Sequence, residues 1–342
     1  MELDIENLEA LRHYLIHQGH IQSSHGVSFE RLTGGVSNRT VKVSWADGYG
    51  WILKQALPKL RVSVDWFSNP ERIAVEAKAL RWLNRSTPPG TTPAFIFEDA
   101  PNHVLAMEAI PEGHENWKSV LLSGRIAAEH FEQFGVLLGA VHRLSSGSED
   151  LCREFADTSY FESLRLEPYY LYTAQQVPAA AAFLRALVQS TRQRKDCLVH
   201  GDFSPKNTLL YQGKLILLDY EVFHFGDPAF DIGFALAHFL SKAAHLPKDR
   251  AGLANATLLF VSTYRREIAS LPWAARLEPR LVRHALGCSL ARVAGKSLLE
   301  YLSPQERSRQ QEVLLQLIAK SPASIEDLVA QFVQRIEAYA DH

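Results

Sequence analysis

Cysteine is scarce in these 342 residues: Cys152, Cys197 and Cys288 are an odd, scattered set with no CxxC pair. That excludes a disulfide framework and a zinc ribbon, and a reducing, cytoplasmic setting is expected. A dominant charge is missing too, since 36 Lys and Arg stand against 38 Asp and Glu for a formal net charge of −2. No whole-protein field recruits nucleic acid or an anionic membrane, so neither is expected as a partner. No apolar run approaches membrane-spanning length, and the start, Met1-Glu2-Leu3-Asp4-Ile5-Glu6, is acidic where a signal peptide is basic. The expectation is a soluble, unprocessed protein without repeats or low-complexity tracts. The chain is 46% hydrophobic with six Trp, enough for one large core or two modest lobes.

Periodicity divides the chain. Leu8, Leu11, Tyr14 and Leu15 predict a helix from Ile5 to His17 that ends at Gly19. Phe29 to Leu32, Arg39 to Ser44 and Gly50 to Gln55 read as strands of an antiparallel meander, with turns at Gly34-Gly35 and Asp47-Gly48. Asn69-Pro70-Glu71 reads as an N-cap with proline at the first helical position, opening a helix to about Asn84. Two more strands, Ala94 to Glu98 and His103 to Ile110, complete a first lobe of five strands and one inserted helix over residues 1–110. Residues 111–342 read as mainly helical, with helices over Gly124 to Leu144, Asp231 to Lys242, Leu253 to Ala269, Glu278 to Leu302 and Ile325 to Ala340. Ser303 to Arg309 reads as connecting surface. The exception to the helices is Cys197 to Val199, a loop, and a hairpin of Thr208 to Tyr211 and Lys214 to Leu218 turned by Gln212-Gly213.

The chemistry concentrates there. His200-Gly201-Asp202-Phe203-Ser204-Pro205-Lys206-Asn207, followed by Asp219-Tyr220-Glu221, supplies what phosphoryl transfer requires: a carboxylate for the attacking hydroxyl and oxygen ligands for Mg²⁺ on the nucleotide phosphates. Asp202 is the candidate base. Asn207 and Asp219 are the candidate metal ligands. Glu221 lies on the same side as Asp219 if the segment is extended, and it either ligates the metal, directly or through water, or forms a surface salt bridge. Asp231 opens an apolar helix that it can cap, or it hydrogen-bonds the catalytic loop.

These motifs, with Gly226-Asp227-Pro228 and Phe230-Asp231-Ile232-Gly233, resemble the aminoglycoside phosphotransferase family of kinase-like enzymes, which includes choline kinase, homoserine kinase and methylthioribose kinase relatives. The resemblance implies an α+β, two-lobed, protein-kinase-like fold, with ATP and Mg²⁺ as cofactors and a small-molecule hydroxyl as acceptor. It implies that His200 shapes its loop and that Lys54, in Trp51-Ile52-Leu53-Lys54, meets the α- and β-phosphates, anchored by Glu76 with Glu71 as the weaker competitor. Gly34, Gly35, Ser37 and Asn38 would approach the phosphates, and Glu108, Ala109 and Ile110 would form the hinge that reads the base, ATP or GTP.

The acceptor is less legible. Asp227 fixes a turn or faces the substrate. Arg292 and Lys296 share a helix face able to greet an anionic acceptor, in a stretch similar to one near the substrate side of some relatives. Leu60 to Phe67 resembles a segment of methylthioribose kinases, which nominates Trp66 as a cleft residue and a sugar-like acceptor. Sugars, amino alcohols and aminoglycoside-like compounds all remain candidates. The rival is a catalytically idle nucleotide-binding regulator, which would not require Lys54, Asp202, Asn207 and Asp219 together. Phosphorylation of protein side chains is disfavoured by the HGD form of the loop.

Overall fold

Short turns fold the beginning of the chain into a meander. At Asp47-Gly48 the Asp47 carboxylate accepts from the Tyr49 N–H at 3.0 Å, and Gly48 takes a φ of 89°, which glycine adopts without strain. The computed structural model describes residues 3–23, 25–33, 35–62 and 65–339. Strands β1 (Val27–Leu32), β2 (Asn38–Trp45), β3 (Gly50–Ala56), β4 (Phe95–Asp99) and β5 (Val104–Glu108) form one sheet in the order β1-β2-β3-β5-β4, antiparallel throughout.

One face of this sheet is closed by helix α1 (Leu8–His17), whose Leu11 and Leu15 are buried with Ile5, Val41, Val43, Leu53, Val104 and Ala106. Fully burying each such side chain contributes about 1.5–3 kcal/mol. Helix α2 (Arg72–Ser86) packs on β3, β4 and β5 and buries Ile73, Ala77, Leu80 and Leu83. It begins at Arg72, not at Pro70. The Asn69 side chain accepts from the Glu71 N–H at 3.0 Å, and this local turn delays the first helical residue.

The chain separates into two compact units: Met1–His114 with Ile216–Val222, and Glu115–Leu215 with Phe223–His342. The second unit is mainly helical, so the fold is α+β: a five-stranded antiparallel sheet with one inserted helix, and a helical remainder. Its helices Ala128–Ser145 and Arg250–Ile268 approach so closely that a Cβ on Gly139 would sit 2.3 Å from Glu267 Cβ. The Ala229–His245 helix is buried over nearly its whole length against Glu278–Ala294. Phe134 stacks on Phe203 at 3.9 Å between centroids, giving the loop from His200 to Asn207 an aromatic floor that Trp117, Phe131 and Phe239 extend.

Three segments depart from the periodicity reading. The helix expected to run to Leu302 stops at Ala294, because Gly295 takes extended backbone (φ −91°, ψ −169°), so Lys296, expected to share a helix face with Arg292, lies beyond the helix. Ser303, expected in connecting surface, is the N-cap of a helix, Pro304–Ala319, with a capping box in which Ser303 Oγ accepts from Glu306 N–H and Glu306 accepts from Ser303 N–H. Residues 162–171, to which no element is assigned from the sequence, form a π-helix containing Pro168. The strands Thr208–Tyr211 and Lys214–Leu217 are joined, as expected, by Gln212-Gly213, with φ of 49° and 74°. Both values suit a type I′ turn. No helix among the described residues is long and apolar enough to cross a membrane.

Candidate active site

The first unit gathers one set of predicted residues. Period-two geometry turns Lys54 to the face of β3 opposite the buried Leu53, and its Nζ lies 2.6 Å from Glu76 Oε1 and 2.8 Å from Asp219 Oδ1. Burial works against the Lys54 ammonium, but the Asp219 and Glu76 carboxylates outweigh it and hold its pKa above the ordinary lysine value. Burial raises the pKa of Glu76, against the opposing pull of Lys54. Asp219 has a φ of 69°, a left-handed conformation that Asp tolerates better than most residues.

Glu221 is held differently. Its Oε2 accepts from Arg72 Nε at 2.9 Å and lies 3.4 Å from Asn38 Nδ2. Arg72 is fully buried, and it also donates to the carbonyls of Ser37, Leu57, Ser68 and Asn69. One guanidinium thus fastens the glycine-turn segment to the chain after Asp219, a role the sequence reading did not assign to Arg72. Asn38 Nδ2 also reaches Ser37 Oγ at 3.2 Å. Gly35 sits in this turn, whereas Gly34 lies outside the described residues. The N–H groups of Glu108 and Ala109 donate to Ala94 and Gly50 at 2.8 Å, and Ile110 follows the last of these bonds. Trp66 is buried, and its carbonyl accepts from Leu60 N–H.

The second unit carries the loop. Asp231, in the first turn of its helix, accepts from the N–H groups of His200 at 2.7 Å and Gly201 at 2.8 Å. Of the two roles the sequence leaves open for it, the geometry shows the second. His142 Nε2 reaches the same carboxylate at 3.2 Å, and His142 Nδ1 lies 2.8 Å from the Tyr264 hydroxyl. Burial would push the Asp231 carboxyl up, but His142 and the charge and N–H of His200 outweigh it and hold it below the usual carboxylate range. His200 Nδ1 accepts from the Asp202 N–H at 3.1 Å, so the imidazole serves the loop backbone. Asn207 Nδ2 donates to the Asp202 carbonyl at 3.1 Å, which fixes the plane of its amide.

Asp202 has a partner that no motif announces. Arg165, on the π-helix, pairs with Asp202 Oδ2 at 2.8 Å and donates to the Gly201 carbonyl at 2.6 Å. The wide turn of that helix and its internal proline place this arginine, and neither feature is visible as periodicity. Asp227 is buried, pairs with Arg280 at 3.0 Å and accepts from Ala229 N–H. Burial raises its pKa, but His284 and Arg280 outweigh that and hold the carboxyl low. Arg292 is buried and donates to Tyr169 Oη at 3.0 Å and to Ser297, while Lys296 lies 5.4 Å from the Tyr172 ring centroid.

Asp219 and Asn207 provide a carboxylate and an oriented amide, the hard oxygen donors that suit Mg²⁺ or Ca²⁺. Among the described residues no group of three or more His, Cys, Asp or Glu forms a metal cage. Each donor, in its own unit, suits a divalent cation that takes other ligands from phosphate and water, as Mg²⁺ commonly does.

The architecture is that of kinase-like proteins. Over 91% of this chain and 92% of the other, it resembles amicoumacin kinase hAmiN solved in complex with AMP-PNP, Ca2+ and Ami, with a TM-score of 0.56 and 18% identity. It also resembles a choline kinase from Cryptosporidium parvum Iowa II, with a TM-score of 0.55 and 13% identity over 96% of this chain and 100% of that one. At such identity the likeness is one of fold. The model of the phosphotransferase enzyme family, APH, matches residues 28–260, and the chain belongs to that family. Among curated proteins it is similar to the methylthioribose kinases of Pectobacterium carotovorum subsp. carotovorum and Klebsiella pneumoniae, each 25% identical over 65% of this chain. The match covers 62% of the length of either relative.

Proposed function

We propose that the protein is a small-molecule kinase that uses a divalent cation, Mg²⁺ in the cell, to transfer the γ-phosphate of ATP to a hydroxyl of a small metabolite in the cytoplasm. The observation that carries this reading is the Lys54–Glu76–Asp219 constellation at 2.6 and 2.8 Å, in a chain of this family. Residues 1–110 are assigned to the nucleotide and residues 111–342 to the acceptor.

In this reading Glu76 fixes the Lys54 ammonium so that it meets the α- and β-phosphates. The loop at Gly34, Gly35, Ser37 and Asn38 approaches the phosphates, and the backbone at Glu108 to Ile110 lies against the base, with Ile110 left beyond the sheet bonds. Asp219 and Asn207 are the residues that would each offer an oxygen to the cation, which would neutralise charge on the phosphates. Glu221 is the weaker candidate ligand because Arg72 and Asn38 engage its Oε2. Asp202 accepts a hydrogen bond from the acceptor hydroxyl. As the new O–P bond forms and the bond to the ADP oxygen breaks, the hydroxyl proton passes to the Asp202 carboxylate. Arg165 positions that carboxylate, and Asp231 fixes the loop beneath it. Trp66, Asp227, Arg292 and Lys296 are assigned to the acceptor side, with Asp227 acting through its contacts to Arg280 and Ala229.

The test is ADP release from ATP and Mg²⁺ across sugars, amino alcohols, hydroxy acids and aminoglycosides, with Asp202→Asn in parallel. Acceptor-dependent release lost in the variant is expected. ATP binding without turnover on any acceptor would favour an idle regulator, and absence of both binding and turnover would refute the reading.

A further inference from the structure

In the second unit a group of buried basic side chains has no carboxylate partner among the described residues; burial and the nearby cations hold the His238 imidazole well below its ordinary pKa, which keeps it neutral. Lys242 is 0% exposed, His238 1% and Arg292 5%. His238 and Lys242 stand one turn apart on the Ala229–His245 helix, and Arg292 is on the adjacent helix Glu278–Ala294. Among the described residues, neither Lys242 nor Arg292 has a carboxylate at ion-pair distance. Lys242 Nζ donates only to the His238 carbonyl, at 3.3 Å, and lies 5.3 Å from the Tyr301 ring centroid. The acid whose charge acts on Lys242, Glu300, is paired with Lys118. Three polar atoms here are buried without a partner: His238 Nδ1, Arg292 Nε and Tyr301 Oη. Buried charge and unsatisfied donors cost stability unless something complementary enters.

The group is coupled to the candidate base through two aromatic rings. The Arg165 guanidinium, which holds Asp202, lies 5.8 Å from the centroids of both Tyr169 and Phe234. Arg292 lies 5.8 Å from the Tyr169 ring, and the His238 ring is 5.3 Å from that of Phe234. Arg165 and the Tyr169 and Phe234 rings therefore connect the basic group to Asp202.

We propose that Arg292, Lys242 and His238 form a subsite for an anionic group on the acceptor, a carboxylate or a phosphate, so that the substrate is an anionic hydroxy compound. The proposal deepens the kinase reading and rests on it for the hydroxyl's fate, although the anion subsite stands on the geometry alone. A guanidinium and an ammonium supply charge-assisted donors for such an oxyanion, and the neutral imidazole adds an N–H. Burial and the nearby charges of Lys118 and Arg292 lower the Lys242 pKa to about 7, the signature of a cation that an incoming anion would stabilise.

The test is calorimetric binding to the full chain carrying Asp202→Asn, which prevents turnover, using matched probes: glycerol, glycerate and glycerol 3-phosphate, then sorbitol, gluconate and glucose 6-phosphate. At least one anionic member should bind about tenfold or more tightly than its neutral counterpart, and Arg292→Gln and Lys242→Met should each remove about tenfold of that preference. Preference for glycerate and gluconate identifies a carboxylate; preference for the phosphates identifies a phosphate. Equal binding of neutral and anionic probes, or an anion preference untouched by either substitution, overturns the subsite. Wild-type turnover of neutral acceptors with no anion preference overturns the subsite and leaves the kinase reading intact. Anion binding lost in both variants, with no transfer by the wild type to any acceptor, upholds the subsite and overturns the kinase reading. Melting temperatures of both variants are read alongside: Lys242→Met should not lower it, whereas Arg292→Gln also loses the bonds to Tyr169 and Ser297.

Discussion

The two units treat buried charge in opposite ways. In the first, Lys54 answers to Glu76 and Asp219, and Arg72 answers to Glu221 and four carbonyls, so that each cation is matched by acceptors of the chain itself. In the second, Asp202 and Asp231 are similarly matched, but among the described residues neither Lys242 nor Arg292 meets a carboxylate, and Arg292 Nε is left without an acceptor. A matched network holds its own geometry without help from a ligand. An unmatched one is stable only because the surrounding helices outweigh it, and it favours whatever brings the missing charge.

The largest expected break is at the base. Asp202→Asn keeps the size of the side chain and removes the proton acceptor, so kcat should fall by about 10²- to 10⁴-fold with ATP affinity unchanged, as steady-state kinetics and nucleotide titration would show. An equal fall in ATP affinity would mean that Asp202 serves the nucleotide. Next is the matched pair of the first unit: Arg72→Met strands Glu221 in a buried site and should cost about 3–5 kcal/mol in denaturant unfolding. Adding Glu221→Leu should recover part of that loss, and no recovery would show that the guanidinium's bonds to the carbonyls dominate.

A smaller effect is expected at Asp231. Its carboxyl pKa lies below the ordinary 3.8, so its contribution to stability is present above that pH and is lost as pH falls through the folded-state value. Asp231→Asn should therefore lower stability at neutral pH by about 1–3 kcal/mol and flatten the decline below pH 3.8 relative to the wild type. At Lys242 the sign is opposite in sense to a matched pair. Its folded-state pKa, about 7, is depressed from 10.5, so its contribution is present above 10.5 and lost as pH falls through 7. Wild-type stability should rise between pH 7 and 10.5 relative to Lys242→Met, by at most about 1.4 kcal/mol per pH unit. Parallel curves would show that Lys242 is paired after all.

What the sequence reveals of this comparison follows physical range. The pairing of Lys54 with Glu76 is legible because the strand and helix carrying them show clear periodicity, whereas Asp202, Asn207 and Asp219 are nominated by a local motif alone. The turn at Gln212-Gly213 is legible because its left-handed backbone demands such residues. Arg72 and Arg165 are not: each matters through a partner more than thirty residues away, and a lone arginine in a helix gives no sign of what it reaches. The Pro304–Ala319 helix is obscured by its polar surface, although Ser303 and Glu306 carry a capping box in plain view. The unmatched state of Lys242 is invisible for the same reason as Arg165, since a missing partner can be recognised only when all neighbours are in place.

The account turns most directly on whether phosphate reaches a hydroxyl under the control of Asp202. Phosphorus NMR of the protein with ATP, Mg²⁺ and the acceptor panel should show a new phosphomonoester resonance growing in step with ADP for the wild type, and none on the same timescale for Asp202→Asn. ATP that stays intact with every acceptor, or an ester that forms as fast without the Asp202 carboxylate, would contradict it.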